Sequence, residues 1–317
     1  MIRLIRAIRY VTRYINRQIR VGAFRRFGYP KEINNLNPSN GTILQNARKP
    51  LTIPTYDRSN QVVHPSIIDF PAEHELQQWG GHRFWMVVTP YPYGDDVYEN
   101  PCMYVSDDGI NWFTPKGLAN PINQAPGGWK NGFNNDPDMI YNPDSNEIWV
   151  YFRFASREQL DVKLIKIADD LTISEPITVI SQSPWTQSDN THRSLCIWRE
   201  SAQRWHMWGG GGAETPPHNI YYRFSRDGIH WGSPERCVND NGNDPFLDFG
   251  YTNWHFSCKP NYRKKKIEFL SYARPISQEG EGGLFYAECD MDSLSLIRTP
   301  IIEPLLLPSE NNWDDGH

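Results

Sequence analysis

Five side chains able to move protons or ligate metal recur near one phase of this 317-residue chain: His64, Asp136, Asp138, His192 and His255. They stand in short runs of strand-forming residues, His64-Pro65-Ser66-Ile67-Ile68-Asp69-Phe70, Asp136-Pro137-Asp138-Met139-Ile140-Tyr141, His192-Arg193-Ser194-Leu195-Cys196-Ile197-Trp198 and Trp254-His255-Phe256-Ser257-Cys258. Carboxylate and imidazole together supply general acid–base chemistry near neutral pH. Only the second run offers carboxylates, so Asp136 or Asp138 is the candidate carboxylate and His64 or His192 its proton-transfer partner. The spacing requires no cofactor. Three imidazoles meeting Asp136 could nevertheless hold a metal ion on a shared axis. Each residue also has a plain structural reading: aspartates bond strand-end amides, and histidines are hydrogen-bonded in cores.

Other polar and aromatic groups could contact a ligand. Tyr93, in the loop Tyr91-Pro92-Tyr93-Gly94-Asp95-Asp96, and Trp254 offer aromatic faces to sugar C–H surfaces. Arg153 and Arg274, near the ends of apolar runs, can bind a carboxylate through two parallel hydrogen bonds and would favour an acidic saccharide, unless they form surface ion pairs. His255 belongs with this binding group.

The elements that must position these residues repeat. Asp108, Asp170, Asp227 and Asp290 follow one another at steps of 62, 57 and 63, each closing an alternating apolar run. Two copies read S-x-D-G-I-x-W, at Ser106–Trp112 and Ser225–Trp231. Asp-Gly between strands predicts a hairpin turn, with glycine at positive φ and aspartate bonding the turn backbone. Trp85, Trp149, Trp205 and Ile267 keep the same period in the segments before these turns. Each unit therefore reads as an inner strand, an aromatic middle strand, a third strand and an outer strand entered at Trp112 or Trp231. A period near sixty residues with several short strands points to propeller blades, because one small sheet cannot bury both faces alone.

The run from His64 to Phe70, the segment RFWMVVTPYP, then Glu99-Asn100-Pro101 and the S-x-D-G-I-x-W turn resemble the glycosidase-like five-bladed β-propellers of arabinanase/xylosidase type, and among them members associated with phage virions. The resemblance spans about residues 50–317 and implies an all-β five-bladed propeller with four blades evident and the fifth incomplete. It implies inner-strand starts that converge on a sugar site, worked by paired carboxylates about 6.5–9.5 Å apart in an inverting enzyme. The family's first-blade base is usually aspartate, where this chain has His64. Its third-blade acid is usually glutamate, where this chain has His192 or Asp189. The expected function is a carbohydrate-active, glycoside hydrolase-like propeller acting on a polysaccharide or cell-surface glycan; the alternative is a non-catalytic receptor-binding or structural virion propeller.

Composition agrees with an all-β body: 13% of residues are aromatic, enough large side chains for several inter-sheet cores. The five cysteines, Cys102, Cys196, Cys237, Cys258 and Cys289, show neither metal-ligand spacing nor a disulfide framework and read as small core residues. No apolar run is long enough to span a membrane. Because His192, His255 and His317 fall at steps of 63 and 62, residues 311–317 read as the entry to a fifth inner strand. Closing the ring then calls for a longer chain or a second one, with the segment between Gly41 and Val63 supplying one or two strands.

Residues 1–28 differ from the rest. They carry eight arginines and no acid, so the chain's net charge of −5 divides into +8 here and −13 beyond. Leu4, Ile5, Ile8, Val11, Ile15 and Ile19 fall on one helical face and Arg3, Arg6, Arg9, Arg13, Arg17 and Arg20 on the other, which predicts a basic amphipathic helix. Arginine interrupts every turn, so the segment is not a secretory signal. Docking onto a virion or other assembly is the leading expectation; an anionic membrane, nucleic acid and the chain's own propeller are the competitors. Residues 29–50 read as a linker. Deletion of residues 1–28 is expected to leave a folded propeller by circular dichroism and gel filtration; a deletion variant that cannot fold would place the helix in the core.

Overall fold

In the computed structural model, residues 51–182, 192–211, 218–277 and 282–307 are described. The amphipathic helix, the linker, Asp189 and the proposed fifth-strand entry at 311–317 lie outside them.

Four antiparallel sheets are present among the described residues. Sheet 1 holds β1 (Val62–Asp69), β2 (Phe84–Pro90) and β3 (Cys102–Ser106). Sheet 2 holds β4 (Phe133–Asn142), β5 (Glu147–Ala155), β6 (Leu160–Ile167) and β7 (Ile177–Gln182). Sheet 3 holds β8 (Arg193–Ser201), β9 (Arg204–Gly211), β10 (Asn219–Ser225) and β11 (Glu235–Arg236). Sheet 4 holds β12 (Tyr251–Asn261), β13 (Lys266–Pro275) and β14 (Gly283–Asp290). Within each sheet neighbours in sequence are neighbours in space. The first strands β1, β4, β8 and β12 touch in that order, which sets the sheets around a common axis.

The periodic aromatics fill the space between sheets. Trp85 belongs to a core shared by sheets 1 and 2, and Ile267 to one shared by sheets 3 and 4. Trp149 and Trp205 stack at 5.0 Å between sheets 2 and 3. The free face of sheet 1 is covered by Ile53, which packs on Met86, Val88 and Tyr104.

The two Asp-Gly turns are built alike. Asp108 Oδ1 accepts from the amides of Ile110 and Asn111 at 2.8 Å each, and Asp227 Oδ1 from those of Ile229 and His230 at the same distance. Gly109 and Gly228 take φ of 72° and 73°. A Cβ at Gly228 would meet the Tyr151 hydroxyl at 2.8 Å, so packing and backbone both require glycine there. The expected outer strands are shorter than their blades suggest: Phe113 and Trp231 each make one isolated bridge, to Val105 and Ser225. Pro115 and Pro234 follow within a few residues and cannot donate to a ladder.

One expectation is corrected. Cys196 and Cys258 pair as a disulfide between β8 and β12, while Cys102, Cys237 and Cys289 are buried thiols. The pairing was hidden because sequence spacing of 62 residues brings two inner strands side by side only once the sheets are arranged about the axis.

Trp205→Ala should lower stability by about 3–5 kcal/mol, since it empties a core shared by two sheets. Urea unfolding measures it; a loss under about 1 kcal/mol would mean the sheets are not held through this stack.

Candidate active site

Every inner strand begins with an irregularity. The register slips between Val63 and Ser66 in β1, Asn135 and Asp138 in β4, Arg193 and Cys196 in β8, and Asn253 and His255 in β12. His64, Asp136 and Ser194 sit in the first three bulges at φ of 55°, 49° and 52°. Such conformations cost about 1–3 kcal/mol each for residues other than glycine and persist only where surrounding structure enforces them. A bulge also re-aims its side chain. Here the re-aiming brings a cluster together on the axis.

Asp136 lies at its centre with no side-chain exposure. His64 Nε2 approaches Asp136 Oδ1 to 3.2 Å and His255 Nδ1 to 3.9 Å, and the two imidazoles are 4.6 Å apart. Neither approach has hydrogen-bond geometry, so Oδ1 is buried without a hydrogen bond among the described residues. Arg153 Nη1 reaches Asp136 Oδ2 at 3.5 Å. Hydroxyls hold one nitrogen of each ring: Thr89 Oγ1 lies 3.4 Å from His64 Nδ1, and Ser194 Oγ lies 2.5 Å from His255 Nδ1. His64 and His255 keep 19% and 29% of their side-chain surface exposed, so the cluster is open to a ligand.

Electrostatics divide the roles. Burial works to raise the Asp136 carboxyl, but His64 and His255, which carry charge in the acid range where this carboxyl titrates, together with Arg153 and Arg193 outweigh it and hold the group down at about 2. Burial lowers His64, and more strongly His255, so both rings are neutral at pH 7. Burial, reinforced by the Asp136 charge, pushes Glu99 well above the usual carboxylate range. Two carboxyls in one neighbourhood are thus shifted in opposite directions, the pattern that separates an acid from a base.

These positions can also accommodate a cation. His64, Asp136 and His255 offer ligand atoms within 4.8 Å of one another. Two neutral imidazoles and a carboxylate suit a divalent transition metal, and the Thr89 hydroxyl on Nδ1 of His64, the nitrogen opposite the one that faces Asp136, is the outer support such a ligand uses. The buried, hydrogen-bond-free Asp136 Oδ1 is the observation that favours a cation.

Asp138 faces a different task. Its Oδ1 accepts from the Ser66 hydroxyl at 2.6 Å and its Oδ2 from the Ile197 amide at 2.6 Å, so it ties β1, β4 and β8 together. His192 lies fully buried just ahead of β8, two residues before the bulge that carries Ser194. Arg153 and Arg274 lie where middle strands pair with inner-strand starts, opposite Asn135 and Thr252. Trp254 adjoins His255, with ring centroids 5.5 Å apart, and the Arg274 guanidinium lies 4.1 Å from its ring centroid. Tyr93 sits in the turn Pro92–Gly94 beyond β2, its amide on Gln61 Oε1, at the end of sheet 1 where β1 begins.

Glu99, Thr89, Arg193 and Ser194 escaped the sequence reading as site residues. A signal existed for Ser194: His64-Pro65 and Asp136-Pro137 share an X-Pro step, and aligning β8 on that bulge selects Ser194 in place of His192. Glu99 stood within the Glu99-Asn100-Pro101 run, with nothing in its spacing to link it to Asp136.

Among known proteins, the chain is 24% identical over 297 residues to an A type blood N-acetyl-α-D-galactosamine deacetylase of Flavonifractor plautii, covering 81% of this chain and 36% of that protein. It therefore spans about a third of that relative. The crystal structure of an N-acetylgalactosamine deacetylase from F. plautii, in complex with blood group B trisaccharide, matches with a TM-score of 0.68 at 23% identity, over 82% of this chain and 75% of that one. The fold is that of the glycosidase-like β-propellers. A thermostable family-43 glycoside hydrolase matches this propeller with a TM-score of 0.50 at 10% identity, over 79% of this chain and 78% of the other. No protein-family model matches the chain. Of the described residues, no helix is long and apolar enough to cross a membrane.

Asp138→Ala should destabilise the propeller by about 2–5 kcal/mol, because it leaves a buried hydroxyl and a buried amide without partners. Thermal unfolding checks this. A variant as stable as the parent would show that the three inner strands do not depend on the Asp138 link.

Proposed function

We propose that this propeller is a carbohydrate-active hydrolase whose axial site removes an acyl group from an N-acylated sugar, with His64, Asp136 and His255 holding a divalent metal ion. The carrying observation is the buried Asp136 Oδ1, free of hydrogen bonds and faced by two imidazoles that hydroxyls orient. The likeness to a protein named as an N-acetylgalactosamine deacetylase supports the acyl substrate. A divalent ion bound there supplies Lewis-acid polarisation of a carbonyl oxygen.

The chain's own residues do the rest. Asp136 stays ionised and supplies the one anionic ligand, with Arg153 fixing its second oxygen. His64 and His255 stay neutral, as ligands must, with Thr89 and Ser194 setting their ring orientations. Amide hydrolysis adds water across the C–N bond, and the departing amine needs a proton; Glu99, whose carboxyl burial and the Asp136 charge shift upward, is the group suited to donate it. Tyr93, Arg153, Arg274 and Trp254 line the approach as sugar contacts.

Glycoside hydrolysis is the second reading, favoured by the split between Asp136 and Glu99. Asp136 would then activate water and Glu99, or His64, would protonate the leaving oxygen. His192 is placed less well for that role, being wholly buried ahead of the bulge. Attachment to a virion or other assembly through residues 1–28 remains a separate expectation.

One assay separates these readings. On a panel of N-acetylated glycans that includes blood group A oligosaccharide, the wild-type protein should release acetate, with loss on chelation and recovery on adding back a divalent cation. Asp136→Asn and His255→Ala should each lower the rate by roughly a hundredfold or more. Release of reducing ends without acetate would replace the acyl reading with glycoside hydrolysis, and glycan binding without either product would leave a non-catalytic receptor-binding propeller.

A further inference from the structure

A covalent bond joins two of the strands that carry the axial cluster. Cys196 stands on β8 two residues after Ser194, and its partner Cys258 stands on β12 three residues after His255. Both are buried, at 2% and 5% exposure, in the core that sheets 3 and 4 share. The same two strands meet again on either side of the bond. Toward their starts Ser194 Oγ lies 2.5 Å from His255 Nδ1, and toward their ends the Trp198 indole donates to the Tyr262 hydroxyl at 3.2 Å.

Placing His255 is a particular problem. The first strands touch in the order β1, β4, β8, β12, so β8 stands between the strand of His255 and that of Asp136. His255 must nonetheless come within 3.9 Å of Asp136 Oδ1, its ring 4.6 Å from that of His64. Two links carry the connection from β4 to β12. Asp138 Oδ2 accepts from the Ile197 amide at 2.6 Å, and that amide belongs to the peptide that Cys196 begins. From Cys196 the disulfide crosses to Cys258, whose own amide donates to Cys196 Sγ at 2.9 Å. Two thiols need more room than two bonded sulfurs, and a core at native packing density has none to give. Opening the bond therefore parts β8 from β12 next to the site. Sheets 3 and 4 stay together through Trp208 and Phe269, so the loss falls on the placement of His255. A site of this kind tolerates displacements of only about 0.5 Å.

We propose that the Cys196–Cys258 disulfide is a positioning element of the axial site: it holds His255 within reach of Asp136, so the affinity of the cluster for its cation follows the redox state of this pair. The proposal rests on the metal reading of His64, Asp136 and His255 and adds a control on that same site. Opening the bond takes two electrons and two protons. A dithiol reductant supplies them and ends as its own disulfide, leaving Cys196 and Cys258 as thiols.

The test is the affinity of the full chain for Co2+, measured by competition with a chromophoric chelator, before and after treatment with dithiothreitol that is removed by gel filtration under nitrogen. Reduction should weaken binding by about tenfold or more, and reoxidation should restore it. The double variant Cys196→Ala, Cys258→Ala should match the reduced protein and ignore dithiothreitol. Ile53→Ala, which loosens the cover of sheet 1 and touches neither β8 nor β12, should keep its affinity within about twofold, so that a general loss of stability is not mistaken for misplacement. If the double variant does not fold, the wild-type redox cycle decides; if the buried bond resists dithiothreitol, the variant decides. Equal affinity in the two redox states, or five titratable thiols in the unreduced, unfolded chain where the disulfide leaves three, overturns the proposal and leaves the metal reading standing. Absence of Co2+ binding in both states overturns the metal reading and this control with it.

Discussion

A carboxylate with no exposed surface must be compensated or it takes up a proton, and much of the axial architecture follows from keeping Asp136 ionised. Standing compensation comes from Arg153 on β5 and Arg193 on β8, and His64 on β1 and His255 on β12 add to it when acid protonates them. No single sheet could supply it. Because the attraction falls off with distance, the inner strands must start close together, and that requirement fixes where each sheet can stand relative to the next. Burial, and after it the Asp136 charge, raises Glu99, while Arg153 acts in the opposite direction.

Convergence at the top of the strands demands restraint just below. There the neighbours are strapped in series: Ser66 to Asp138, Asp138 to the Ile197 amide, and Cys196 to Cys258. Lys259 completes the circuit by donating to the Ile67 carbonyl at 3.0 Å and to Glu73 at 2.8 Å, joining β12 to β1. These ties resist the opening that three bulges with left-handed residues would otherwise encourage. Further out, the stack of Trp149 on Trp205 and the T-shaped contact of Trp208 with Phe269 bind the sheets by apolar burial. Strain is concentrated at the axis and stability in the blades, a division suited to a preorganised binding site.

The axial chemistry departs from what paired carboxylates would provide. One ionised carboxylate, two neutral imidazoles and their hydroxyl neighbours form a donor set, while the second carboxyl, Glu99, is shifted upward by burial. The bulges decide which polar groups are aimed inward, while the cores between sheets are apolar and lie further out.

The repeat was legible in the chain because local chemistry enforces it. Asp108-Gly109 and Asp227-Gly228 make the same turns wherever they occur, and period-spaced Trp85, Trp149 and Trp205 had to be buried between sheets. His64, Asp136 and His255 were legible too, as polar residues at the heads of inner strands. Asp138 and Asp136 could not be told apart, because two residues in one strand usually share a face and only the bulge between Asn135 and Asp138 aims Asp136 into the cluster and Asp138 at Ser66. The same slip in β8 puts Ser194 at the bulge position that His64 and Asp136 hold in their strands, with His192 two residues ahead of it. Glu99, Arg193 and the Cys196–Cys258 pair became visible only in three dimensions, since each matters through a residue from another sheet or a distant segment and sequence spacing carries no record of which sheets face one another.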